Sequence, residues 1–206
     1  MAPQHPKRAY RMVARAAAAA QTRERILDAV VALARERFVD DIALSDIATA
    51  AGVTVQTVLR HFDGREALLG AAARRGEEAV EGPRRRVTPG DGDEAAQRAV
   101  ADYERFGDAL MLWLAQEERS SFIRPLVERG RSLHQAWIDA VFAPQLSGRR
   151  GPSRARLRAQ LIAVTDVYTW KLLRRDLGLS RRETERAIAG LVRGALGDHD
   201  GDTEER

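Results

Sequence analysis

From Thr54 to Arg65 the chain carries Thr54, Gln56, Thr57, Arg60, His61 and Arg65, hydrogen-bonding side chains concentrated in a dozen residues, with the apolar Val55 among them. These are groups for reading a surface rather than for breaking bonds. Glutamine can pair bidentately with adenine, arginine can take guanine or a phosphate, and valine can pack on a thymine methyl. The alternative is the ordinary polarity of an exposed helix. Upstream, Arg11 and Arg15 join Lys7 and Arg8 in a segment with no acid before Glu24, a local charge suited to a polyanion.

Catalytic chemistry finds little support. His5, His61, His134 and His199 are far apart, without the spacing of a metal-binding helix. Neither a Gly-x-Ser-x-Gly turn nor a phosphate-cradling glycine loop occurs, and Glu117-Glu118 reads as a solvated face. With Cys 0, disulfides, thiolate metal sites and cysteine nucleophiles are excluded. The expectation is no enzyme, no catalytic residue, no metal and no cofactor. The net charge of +4 is modest, so the distribution matters more than the sum. The head of the chain is basic, and Asp198, Asp200, Asp202, Glu204 and Glu205 make the last nine residues acidic. No apolar run approaches the ~20 residues needed to span a bilayer, and the start lacks a secretory signal, so the expectation is a cytoplasmic protein with no membrane partner.

The elements that must position these groups are helical. Ile26, Leu27, Val30, Val31, Leu33, Ala34 and Phe38 recur every three or four residues and form one apolar stripe. Asp40-Asp41 ends it. A short helix near 43–51 closes at Gly52, and another follows over 55–62 with Thr54 as its N-cap. Asp63 and Glu66 have capping-box spacing and start the next helix, which runs to about Val80. Pro83, Pro89, Gly90 and Gly92 mark a linker. Four longer helices follow, over 94–118, 121–146, 153–178 and 180–196. The second carries possible breaks at Pro125 and Gly130, and the last carries Ser180-x-x-Glu183 as a second capping box. No period-two strand appears. The fold class is all-α: a basic flexible arm (1–20), a helix-turn-helix domain with its connecting helix (21–80), a linker (81–93), a second helical domain (94–197) and an acidic tail (198–206).

The runs Thr22-Arg23-Glu24-Arg25-Ile26-Leu27-Asp28-Ala29, Ile47-Ala48-x-x-Ala51-Gly52-Val53-Thr54 and Thr57-Val58-x-Arg60-His61-Phe62-x-Gly64-Arg65-Glu66-Ala67-Leu68 resemble the TetR family of transcriptional regulators. The likeness spans about 50 residues with its spacing intact. Asp166 to Asp176 also resembles a penultimate helix of some members. The resemblance implies a three-helix DNA-binding head and a helical effector-binding and dimerisation domain. Two copies would set their recognition helices roughly 34–36 Å apart on a palindromic double-stranded DNA operator. An unidentified small-molecule effector would release them.

The DNA-binding set is then Arg11, Arg15, Thr54, Val55, Gln56, Thr57, Arg60, His61 and Arg65. An effector site is expected among Phe106, Leu110, Met111, Trp113, Phe122, His134, Trp137 and Tyr168, although an aromatic stripe at helical spacing is more often core. A homodimer seam is expected from Leu161, Val164, Thr165, Tyr168, Ile188, Leu191, Val192 and Ala195, with half of them as readily assigned to intrachain core.

Four departures from the family pattern bear on DNA affinity. Leu59 stands where most members have a tyrosine whose hydroxyl holds a phosphate. Ala43 replaces a capping hydroxyl residue, Arg65 replaces a lysine, and Asp40 or Asp41 replaces a glycine. Loss of two phosphate contacts would flatten the salt dependence by up to ~2. The expected function is a ligand-responsive repressor. The alternative is an all-helical ligand-binding or scaffold protein whose degenerate helix-turn-helix no longer binds DNA.

Overall fold

A computed structural model describes the backbone of residues 6–197 and the side chains from Met12 onward, so the acidic tail lies outside the described residues. Ten α-helices follow one another, with no strand among the described residues: α1 Pro6–Leu33, α2 Leu44–Ala51, α3 Val55–His61, α4 Gly64–Arg84, α5 Gly92–Leu114, α6 Ile123–Val141, α7 Ala143–Ser147, α8 Gly151–Val164, α9 Val167–Lys171 and α10 Arg181–Gly197. A 3-10 turn covers Val39–Asp41 and a π turn covers Leu172–Asp176. The fold is all-α, as the periodicity predicts.

The chain forms two compact units, divided between Gly76 and Glu77. In the first, Ile26, Leu27 and Val30 of α1 close over Ile47 and Ala48 of α2, Val58 of α3 and Leu68, Leu69 and Ala72 of α4, all buried. Fully burying a large aliphatic side chain contributes about 1.5–3 kcal/mol, so a core of this size suffices for a small head. α1 begins at Pro6 rather than near Gln21, so residues 6–20, expected as a flexible arm, are helical. The alanines at 16–20 have the highest helix propensity, and all of residues 12–20 are exposed, so propensity rather than packing extends this end.

In the second unit α5 packs against α10 and α9, and α6 against α8. Its core gathers Ala99 and Val100, Ile138 and Phe142, Leu157 and Leu161, Trp170, Ile188 and Val192. Gly107 is required where α5 meets Trp170, because a Cβ there would lie 2.4 Å from the indole Cζ3. The unit begins ahead of the segment expected as a linker. α4 continues through Pro83 to Arg84, and Val87 is buried in the second core.

Pro125 does not break α6, because it sits in the first turn, where its missing N–H has no intrahelical partner to lose; Ser120 Oγ accepts from the Ile123 amide there at 3.3 Å. Gly130 lies inside α6 without interrupting it. The long helix expected over 153–178 divides at Thr165. The Thr165 hydroxyl bonds back to the Leu161 carbonyl at 2.7 Å, and Asp166 caps α9 by accepting from the Tyr168 amide at 3.0 Å. Of the two predicted capping boxes, Ser180 and Glu183 form theirs, at 3.3 and 2.8 Å. Asp63 and Glu66 do not. Gly64 adopts φ 82°, and its amide turns back to the Phe62 carbonyl at 2.8 Å, so the chain enters α4 by a tight turn instead.

Candidate functional site

In the head, α2 ends at Gly52 with φ 64°, a left-handed conformation that a Cβ disfavours. Two residues later Thr54 caps α3, its hydroxyl accepting from the Thr57 amide at 3.2 Å. This short turn sends α3 off with Val58 wholly buried and the opposite face outward. Gln56 and Arg60 are exposed, and Val55 and Leu59 are 37% and 47% exposed. Thr57 is half-buried, and its hydroxyl meets that of Thr54 at 3.0 Å, so these two threonines first serve the turn. His61 is half-buried at the end of α3. Arg15 is exposed on α1, whereas the side chain of Arg11 lies outside the described residues.

Arg65, expected as a phosphate ligand, also makes bonds within the head. Its Nε donates to the Ile42 carbonyl at 3.0 Å and its Nη2 to the Val39 carbonyl, so the guanidinium braces the turn ahead of α2. Both N–H groups of Nη1 and the second of Nη2 are left for other acceptors. Ala43 supplies no side-chain cap to α2. Asp46 does the work from the other direction: its carboxylate accepts from the Ala43 amide at 3.2 Å and from Arg37 at 2.8 Å. The Ala43 amide, then Arg37, hold that carboxyl below the usual carboxylate range.

The second unit conceals a polar cluster within its core. Arg84, Asp102, His134 and Thr165 are all buried. Arg84 Nε donates to Asp102 Oδ2 at 2.8 Å, and Arg98 Nη2 donates to Oδ1 at 2.6 Å. Arg84 Nη1 lies 3.3 Å from His134 Nδ1, and His134 Nε2 lies 3.2 Å from the Thr165 hydroxyl. The Tyr103 hydroxyl donates to the Thr165 carbonyl at 3.1 Å, and Trp137 Nε1 donates to the Arg84 carbonyl at 3.2 Å. Burial, reinforced by the Arg84 charge, pushes His134 down to about 4, so its imidazole is neutral near pH 7. Burial raises the Tyr103 hydroxyl to about 12.

Of the residues expected at an effector site, His134 and Trp137 belong to this cluster. Phe106, Leu110, Met111, Trp113 and Phe122 are half-buried elsewhere in the unit, and Tyr168 is 54% exposed. None of the eight lines the groove of about 510 Å³ formed by Asp139, Ala143, Leu146, Arg149, Arg150 and Arg154 among others. Of the expected seam, Leu161, Thr165, Ile188, Val192 and Ala195 are buried within their own chain. Val164 is half-buried, and Tyr168 and Leu191 are exposed. Leu172, next to Tyr168 on the same stretch and 51% exposed, was not singled out from the sequence. Arg84, Asp102 and Tyr103 were missed as well, because nothing local distinguishes a buried arginine from a solvated one.

Residues 26–72 match the family model for bacterial regulatory proteins of the tetR family. The head is a TetR-family DNA-binding domain. A search of curated protein sequences gives no match. Among solved structures, a transcriptional regulator from Rhodococcus sp. Rha1 superposes with a TM-score of 0.65 at 18% identity, over 84% of this chain and 95% of that one. A tetR-family transcriptional regulator from Streptomyces coelicolor gives 0.56 at 21% identity, over 86% and 92%. A Saccharomonospora viridis protein described as a transcriptional regulator, solved in complex with choline, gives 0.61 at 20% identity, over 84% and 96%. At these identities the likeness is one of fold, and it extends through both units. The TetR-type head thus sits in a chain whose helical remainder follows the fold of such regulators, and no helix among the described residues is long and apolar enough to cross a membrane.

Proposed function

We propose that this protein is a homodimeric repressor of transcription in the bacterial cytoplasm, held on a palindromic DNA operator at the nucleoid and released by a small-molecule effector. The observation that carries the proposal is the outward presentation of Val55, Gln56 and Arg60 on a helix whose entry is fixed by Gly52 and Thr54. In this reading Gln56 and Arg60 take base edges, Val55 packs on a thymine methyl, and Arg15 and His61 anchor phosphates together with Arg11. Thr54 and Thr57 keep α3 in place, and Arg65 contributes through its remaining N–H groups. Exposed Tyr168, Leu172, Leu177 and Leu191 are apolar side chains of the second unit available to a partner subunit. The choline bound to the Saccharomonospora viridis neighbour supports an effector role for the second unit. Release requires that the effector prefer the conformation that does not bind operator, since equal affinity for both would shift nothing.

Selection of genomic fragments at low salt tests this. Recovery of a two-fold-symmetric site, with Gln56→Ala and Arg60→Ala together lowering its affinity by tenfold or more, is the expected outcome. No enrichment over competitor DNA would favour the second reading, a ligand-binding or scaffold protein with a degenerate head. Leu59, Ala43 and the engagement of Arg65 with Val39 and Ile42 are the observations on its side.

A further inference from the structure

Arg84 is the last residue of α4, and its side chain is only 10% exposed. Its central carbon lies 4.6 Å from the ring centroid of Trp137 and 6.0 Å from that of Tyr103. Asp102 receives its Nε at 2.8 Å, and the imidazole of His134 closes another side. Two aromatic faces, a carboxylate and an uncharged imidazole are the parts of a receptor for an organic cation, because ring quadrupoles attract positive charge most strongly where water is excluded. The walls stand independently of the guanidinium. The Tyr103 hydroxyl is tied to the Thr165 carbonyl, Trp137 Nε1 to the backbone carbonyl of residue 84, and Asp102 keeps Arg98 as a second partner.

We infer that Arg84 occupies, in cis, a cation receptor walled by Trp137, Tyr103 and Asp102, and that the effector of this unit is a small organic cation which takes its place. The inference rests on the reading that this unit binds an effector, and it names the chemical class. A cation that enters as the Arg84 guanidinium leaves restores a positive charge against the two aromatic faces and the Asp102 carboxylate, an attraction that a neutral or anionic ligand lacks. Displacement also unpins the final turn of α4. Because the occupant is tethered, it competes at an effective concentration in the millimolar range. An added cation therefore binds weakly to the intact protein and much more tightly once the tethered one is removed.

Isothermal titration of the full chain with tetramethylammonium, with tert-butanol as the neutral control, decides the matter. Arg84→Ala is expected to bind tetramethylammonium at least tenfold more tightly than the unmodified protein, tert-butanol to bind neither, and Asp102→Asn in the Arg84→Ala background to lose the gain. Circular dichroism establishes that each variant retains its helices. A folded Arg84→Ala protein that ignores tetramethylammonium, or takes tert-butanol equally well, overturns the inference. Should Arg84→Ala fail to fold, the unmodified protein carries the test: tens of millimolar tetramethylammonium must raise its melting temperature, and Trp137→Leu must abolish the rise, or the cage is disproved. Operator binding is read separately. A chain that binds DNA but no cation refutes the cage alone, and one that binds the cation but no DNA refutes the repressor reading alone.

Discussion

The two units hide and expose their polar groups in opposite ways. The head buries only aliphatic side chains and Phe62, and turns Gln56, Arg60 and Arg15 to solvent. The second unit buries an arginine, an aspartate, a histidine and a threonine together. Buried charges are tolerated only when paired and hydrogen-bonded, so this cluster is a point of large energetic leverage. The lesson is that the exposed face can be altered at little cost to folding, whereas the buried cluster couples any change of charge to stability. All three tryptophans, Trp113, Trp137 and Trp170, lie in the second unit, so their fluorescence follows that unit.

The sharpest way to break this contrast is Asp102→Ala. Arg84 and Arg98 would be left beside each other without their shared carboxylate, which is 3% exposed. Removing one partner of a buried pair costs about 3–5 kcal/mol. Urea unfolding followed by tryptophan fluorescence should show a loss of this size. A change below 1 kcal/mol would mean that the cluster is wetter than its burial implies.

Acid is the next lever. The imidazole of His134 is lowered from 6.5 to about 4 by burial and then by Arg84, so the folded state resists a proton that the unfolded chain accepts. Stability from this group is complete above pH 6.5 and declines as the pH falls toward 4, by about 3 kcal/mol in all. Denaturation midpoints measured between pH 7 and pH 4.5 should fall accordingly, and His134→Gln should flatten the slope. An unchanged slope in His134→Gln would assign the acid sensitivity elsewhere.

Gly107→Ala ranks third. The added methyl would lie 2.4 Å from Cζ3 and 2.6 Å from Cη2 of Trp170, a side chain with no exposed surface and with its Nε1 held by Glu104 at 3.0 Å. Overpacking of this kind costs typically about 1–3 kcal/mol. The same tryptophan signal should report the loss together with a shifted emission maximum, while operator binding per folded molecule stays unchanged.

The same contrast explains what could be read from the sequence. Gly52, the Thr54 cap and the Ser180–Glu183 box were legible because each depends on chemistry within three residues. The inward stripe of α1 was legible from periodicity, whereas the helix number was not, because the helices expected over 121–146 and 153–178 each divide in two. Arg84 was assigned to a linker because prolines and glycines surround it, yet its place is set by Asp102 and Trp137, distant in sequence. The bracing bonds of Arg65 were hidden for the same reason, since they run to the carbonyls of Val39 and Ile42, more than twenty residues away. Asp63 failed as a cap because the neighbouring Gly64 offered the backbone a tighter turn.

The smallest expected effect is a gain, and it falls on the head. Leu59 is 47% exposed on the outward side of α3, one residue before Arg60, at the position where the TetR family usually presents a tyrosine hydroxyl to a phosphate. Nothing in the head's own core depends on it, because the inward contact of α3 is made by Val58, which is wholly buried. Leu59→Tyr should therefore leave stability within about 0.5 kcal/mol, as surface substitutions do. One added phosphate contact should strengthen binding to all DNA sequences alike and steepen the dependence of log affinity on log salt by about one. Titrations of operator and scrambled duplex at several salt concentrations would show the change on both. Tighter binding to the operator alone would place residue 59 at a base edge, and weaker binding to both would mean that leucine itself makes an apolar contact with the DNA.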